Sequence, residues 1–194
     1  MKRIYYILMF LVLVSFTESS SIKSKKSLLI THKSELFIKG TSNVSDFKCQ
    51  YNIKTLDGPI IVHYRKTHGI LKFEDSELVL ENKGFDCGGR GINRDFHGLL
   101  KSDVYPEIIL RLKEVKLKPH QKNTADALVE IEIAGIKQSY HMETEFDDTN
   151  DWHISGLLKL NINDFNLKAP KKMLGLIIVS EKIEINFKLV IKEC

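Results

Sequence analysis

Near its end the chain alternates with a period of two. Ile183, Ile185, Phe187, Leu189 and Ile191 are interleaved with Glu184, Asn186, Lys188 and Lys192, and only Val190 breaks the rhythm. A helix cannot keep such a pattern on one face, but a strand with one buried side can. The pattern recurs upstream. Tyr140, Met142 and Phe146 oppose Lys137, His141, Glu143 and Glu145, and Trp152, Ile154, Leu158, Leu160 and Ile162 oppose His153, Lys159 and Asn161. The polar stretch DDTND between these two runs predicts a hairpin, with His153 opposite Glu145 on the outer face. Ala127, Val129, Ile131 and Ile133 form another alternating set, as do Ile108, Leu110 and Leu112. Weaker strands are expected near 34–39, 47–54, 60–65, 70–74 and 77–82. Many antiparallel strands, each with one apolar face, mean a sandwich or a closed barrel. Periodicity leaves that choice open.

The start of the chain follows another rule. Lys2 and Arg3 precede an apolar run from Ile4 to Phe16, and small polar residues follow. This order is that of a secretory signal peptide, expected over 1–21, with one domain over 22–194. The run is shorter than the ~20 residues a membrane span needs, so no stable membrane insertion is expected after cleavage. Export makes disulfides possible. Of the three cysteines, Cys49 and Cys87 are expected to pair, the alternative being two buried thiols, and Cys194 is left free. Such a pair would close a loop worth roughly 4 kcal/mol on the chain-entropy account.

One helix is expected, from Asn93 to about Ser102, with Asn93 as N-cap, Asp95 in the first turn, and Phe96, Leu99 and Leu100 on one face. A short helical turn is possible near Lys171 to Leu174. The stretch before the helix, FDCGGRGIN, lacks the lysine and hydroxyl of a nucleotide loop, so its glycines read as a sharp corner, with an anion contact beside Arg90 as a weaker alternative. GTSNV lacks the closing glycine of a hydrolase elbow. The seven histidines share no ligand spacing, and the cysteines show no C-x-x-C, so neither a metal nor a cofactor is expected. Asp147, Asp148 and Asp151 belong to a turn, where aspartate bonds locally. The expectation is that the protein is not an enzyme. A net charge of +4, with Lys and Glu interleaved, describes a solvated surface and not a nucleic-acid stripe.

What remains is a surplus of large apolar side chains on inward faces: Phe96, Leu99, Leu110, Val129, Ile131, Tyr140, Met142, Phe146, Ile154, Leu158, Phe187 and Leu189. They are either plain core or the wall of a ligand cavity.

Three stretches in order carry a resemblance. They are LFIKGTSNVSDFKC from Leu36, NRDFHGLLKSDVYPEIILRL from Asn93, and ISGLLKLNINDFNLKAPKKMLGLIIVSEKIEINFKLVI from Ile154. Together they resemble the YceI-like family of small exported bacterial proteins, though Phe47 stands where a tryptophan is common. The resemblance implies an all-β fold: an antiparallel lipocalin-like barrel with the short helix at a barrel end or flank, as lid or as plug. It implies an elongated apolar cavity for a polyisoprenoid or similar long-chain lipid, such as a quinone tail, lined by the residues named above. It also implies a periplasmic or secreted location. The rival reading is a structural or interaction module with a packed interior.

Overall fold

A computed structural model describes residues 22–56, 58–147, 151–172 and 176–194. The expected signal peptide over 1–21 lies outside them, as does the tip of the DDTND turn.

The strands follow from the alternation. They are β1 (Ile22–Ile30), β2 (Glu35–Ser42), β3 (Asp46–Tyr51), β4 (Ile60–Thr67), β5 (Ile70–Glu74), β6 (Glu77–Glu81), β7 (Phe85–Asp86), β8 (Glu107–Leu117), β9 (Thr124–Ile133), β10 (Ile136–Asp147), β11 (Trp152–Asn161), β12 (Lys171–Lys172) and β13 (Ile177–Glu193). Among the described residues there is one α-helix, α1, at Arg90–Leu99. All pairings are antiparallel, and neighbours run β1-β4-β5-β8-β9-β10-β11-β13, with β13 returning to β1. That return closes a ring and decides for a barrel against a sandwich.

β13 is the axis of the closure. Along one side it pairs with β11 from Trp152↔Ile191 to Asn161↔Lys182. Along the other it meets β1 first (Ile30↔Ile191) and then β2 (Phe187↔Leu36). At the change from β1 to β2, the Ser34 hydroxyl oxygen accepts from the Val190 amide at 2.9 Å, and the Thr31 amide donates to the Val190 carbonyl at 2.9 Å. Val190, the residue that breaks the alternation, is buried under this crossing. On the far wall β8 does the same, pairing with β5 near its end and β6 near its start.

The two ends of the barrel therefore differ. One carries the turns after β4, β8 and β10. The other carries α1, the β9–β10 turn, and a 3-10 turn at Ile162–Phe165 that follows β11. The core lies nearer the second end. Phe165, Ile131 and Cys49 are fully buried there, with Tyr51, Phe85 and Leu167 around them.

Several sequence expectations shift. β1 was expected as part of no element: its Lys-Ser-Lys-Lys start masks a strand whose inward residues are few. The helix begins at Arg90, not Asn93. Asn93 is no N-cap. Its side-chain oxygen accepts from the Cys87 amide at 2.7 Å, and its amide nitrogen donates to Asp86 at 2.9 Å, so it braces the loop that enters the helix. Lys171–Lys172 is a short strand paired with β13 and not a helical turn. In the hairpin His153 faces Asp147, while Glu145 faces Ser155, a register two residues from the one expected.

Candidate functional site

The FDCGGRGIN corner sets the helix. Gly88 has φ +86°, a conformation that glycine adopts without strain. The Asp86 carboxylate accepts from the Gly88 amide and from Asn93. Those two hydrogen bonds, Asn93's first, hold the Asp86 carboxyl below its usual range. A disulfide between Cys49 of β3 and Cys87 ties this corner to the barrel wall, as expected, and Cys194 is free and exposed. Behind the helix, the Asn82 side chain is buried and donates to the Ser102 hydroxyl at 2.9 Å and to the Tyr105 carbonyl at 2.8 Å. The backbone carbonyl of Asn82 meets the His97 ring at 3.2 Å. The helix is thus tethered at both ends.

Between these tethers α1 turns Ile92, Phe96 and Leu99 toward the barrel. The amphipathic spacing places them there, yet none of Arg90–Leu99 is fully buried. Beneath Phe96 and Leu99 lies an apolar cavity of about 60 Å³. Leu36 and Ile38 of β2, Phe47 of β3 and Leu80 of β6 form one side of it. Ile108 and Leu110 of β8, with Ile183 and Ile185 of β13, form another.

The side chains expected to wall a tube divide into groups. Phe96, Leu99 and Leu110 line this cavity. Ile131, Met142 and Leu158 are buried in the core, and Val129, Tyr140, Phe187 and Leu189 pack against it. Phe187 packs over its cross-strand partner Gly156 on β11: a Cβ there would stand 2.6 Å from Phe187 Cζ and 3.1 Å from Met142 Cε. The Phe187 ring lies across that bare backbone. Phe146 and Ile154 are cross-strand partners, with Leu189 next to Ile154, and they lie toward the opposite end from α1. They stay half-buried.

Tyr140 and Trp152, both on the alternating apolar faces of their strands, also carry polar atoms. Tyr140 packs against Phe165 at 6.2 Å, and its hydroxyl donates to Asp164 at 3.0 Å. Burial pushes its ionisation up, and the carboxylate pushes it further, so it stays a neutral donor. Trp152 is exposed at the barrel rim, with Lys26 Nζ 5.5 Å from its ring. No group of three or more His, Cys, Asp or Glu side chains suited to a metal occurs among the described residues.

Sequence reading missed Leu36, Ile38, Phe47 and Leu80 as lining residues. The signal was present: Leu36 and Ile38, like Leu78 and Leu80, alternate in strands too short to stand out. Ile162 and Leu167, which also line the cavity, enter through the 3-10 turn, where no period marks them.

A closed antiparallel ring with an apolar interior, covered at one end by a helix, is a lipocalin-like barrel. Solved structures narrow this further. A polyisoprenoid-binding domain from Saccharophagus degradans, implicated in plant cell wall breakdown, matches with a TM-score of 0.60 at 12% identity, over 90% of this chain and 100% of that one. BcnA of Burkholderia cenocepacia matches with a TM-score of 0.58 at 13% identity, over 84% and 99%. The YceI protein of Campylobacter jejuni matches with a TM-score of 0.51 at 14% identity, over 63% and 74%. The fold is therefore that of the YceI-like proteins. No protein-family model and no curated protein matches the sequence.

Proposed function

We propose that this protein is an exported carrier that holds a long apolar ligand, a polyisoprenoid or a quinone-like tail, in its barrel, without making or breaking bonds. The observation that carries the reading is the apolar cavity beneath a two-tethered helix. Two facts support it: the fold is shared with a domain described as polyisoprenoid-binding, and the disulfide suits an oxidising compartment such as the periplasm. Among the described residues no helix is long and apolar enough to cross a membrane.

The cavity of about 60 Å³ is space for roughly two water molecules, and pockets for small ligands usually run to ~300 Å³ or more. The ligand therefore enters by displacing α1 and the side chains under it, which makes the helix a lid. The energetics allow it. At about 0.8 kcal/mol per CH₂, one buried isoprene unit contributes roughly 4 kcal/mol, and a few units exceed the ordering cost.

Lipid extraction and native mass spectrometry of the purified protein test the proposal. The expected result is one long-chain lipid per barrel, or uptake of a farnesyl-type probe by empty protein. A barrel that comes out empty and takes up no probe leaves the second reading, a packed structural module. That reading is favoured by the small size of the cavity and by the close packing of Phe187 and Met142 over Gly156.

A further inference from the structure

The solvent side of α1 is as ordered in charge as its inner side is apolar. Arg90, Arg94 and Lys101 lie exposed along the helix and the turn that ends it, with His97 between them held to the Asn82 backbone carbonyl. They line an open groove of about 630 Å³, together with Asn93, Ser102, Asp103 and Val104. Among the described residues, Arg90, Arg94 and Lys101 have no ion-pair partner, and Asp103 is the one acidic side chain in the groove lining. The barrel wall mixes the two cases: Arg65, Arg111, Lys118 and Lys159 are paired with carboxylates, while Lys25, Lys66 and Lys188, without ion pairs among the described residues, lie on β1, β4 and β13. In the groove lining Val104 is 71% exposed, an apolar side chain that nothing covers.

We infer that this face of α1 docks onto an anionic lipid bilayer, with Arg90, Arg94 and Lys101 against the headgroups and Val104 among them. Unpaired basic residues in a row suit a surface that is itself a continuous sheet of negative charge, and each one near such a surface strengthens binding by about fivefold. The apolar side of the helix is committed to the barrel, so attachment is peripheral and electrostatic. The inference extends the carrier reading, since docking there would set the cavity's lid against a source of its lipid. Attachment itself needs no cargo, so the two stand or fall separately.

The test is co-sedimentation of the mature protein with vesicles of phosphatidylcholine alone and of phosphatidylcholine mixed with phosphatidylglycerol, at low and high salt. Binding is expected only to the anionic vesicles and is expected to be lost at high salt. The triple variant Arg90→Gln, Arg94→Gln, Lys101→Gln is expected to bind about a hundredfold more weakly, with an unchanged melting curve. A control, Lys25→Gln, Lys66→Gln, Lys188→Gln, removes the same charge from the wall and is expected to bind like the parent. Equal loss in the control overturns the inference, because net charge alone would then explain attachment. So does equal binding to both vesicle types, or no binding to either. If inorganic phosphate displaces the protein from vesicles at matched ionic strength, the groove is a small-anion site and bilayer docking is overturned. Vesicle binding by protein that never takes up lipid would keep this inference and remove the carrier.

Discussion

The two ends of the barrel are built differently. At the helix end the interior is closed by α1, by the 3-10 turn bearing Phe165, and by the Cys49–Cys87 bridge, and the buried Asn82 side chain knits the loops together. At the other end the inward side chains of Phe146, Ile154, Tyr64 and Phe73 stay half-buried, Trp152 and Leu117 are exposed, and rim ion pairs such as Lys26–Glu193 and Lys118–Glu143 stand at the surface. Exposed pairs of that kind contribute little. The contrast teaches that stability is concentrated at the end that holds α1 and the cavity. The helix displacement proposed above would act against that better-packed end.

Substitutions can break or sharpen that asymmetry. Phe165→Ala removes a fully buried ring and is expected to cost about 3–5 kcal/mol in chemical denaturation. If Phe146→Ala, at the half-buried end, costs as much, the asymmetry is wrong. Removing the bridge with Cys49→Ala and Cys87→Ala is expected to cost roughly 2–4 kcal/mol, and to speed amide exchange in α1 more than in β9 or β10. Equal exchange across all three would mean that the bridge does not hold the lid. Trp152→Ala, at the rim, is expected to cost under ~1 kcal/mol, the scale of one exposed cation–π contact. The smallest effect concerns acid. Asp86 ionises below its usual range in the folded state, so its contribution is present above the unfolded value of ~3.9 and is lost as pH falls toward the folded value. Protection of the amides of residues 88–93, measured against their intrinsic exchange rates, should then fall at low pH, and Asp86→Asn should make that change disappear.

Most of the barrel wall was legible in the sequence because alternation reports directly on which face is buried. The runs in β8 to β11 and β13 are long enough for the period to be unmistakable, and the disulfide was expected from the signal-like start of the chain and the position of the two cysteines. β1 was not legible. Lysines dominate its start, and its role depends on β4 and β13, which are distant in sequence. The helix boundary was misjudged because Asn93 has the chemistry of a cap yet bonds Cys87 and Asp86 three residues inside the helix. The site was legible only in part. Alternation told which side chains point inward, but inward residues fill space as readily as they enclose it. Phe187 lies against the backbone of β11 because residue 156 is a glycine, a close approach between two strands that no one-dimensional pattern records.

The seam along β13 has a consequence for the order of events during synthesis. Ser34 and Val190, which meet there, are 156 positions apart. β1 and β2 are made well before their shared neighbour β13. The ring cannot shut until β13 exists, and contacts so remote along the chain make folding slow. Until then β1 and β2 each wait with one edge unpaired.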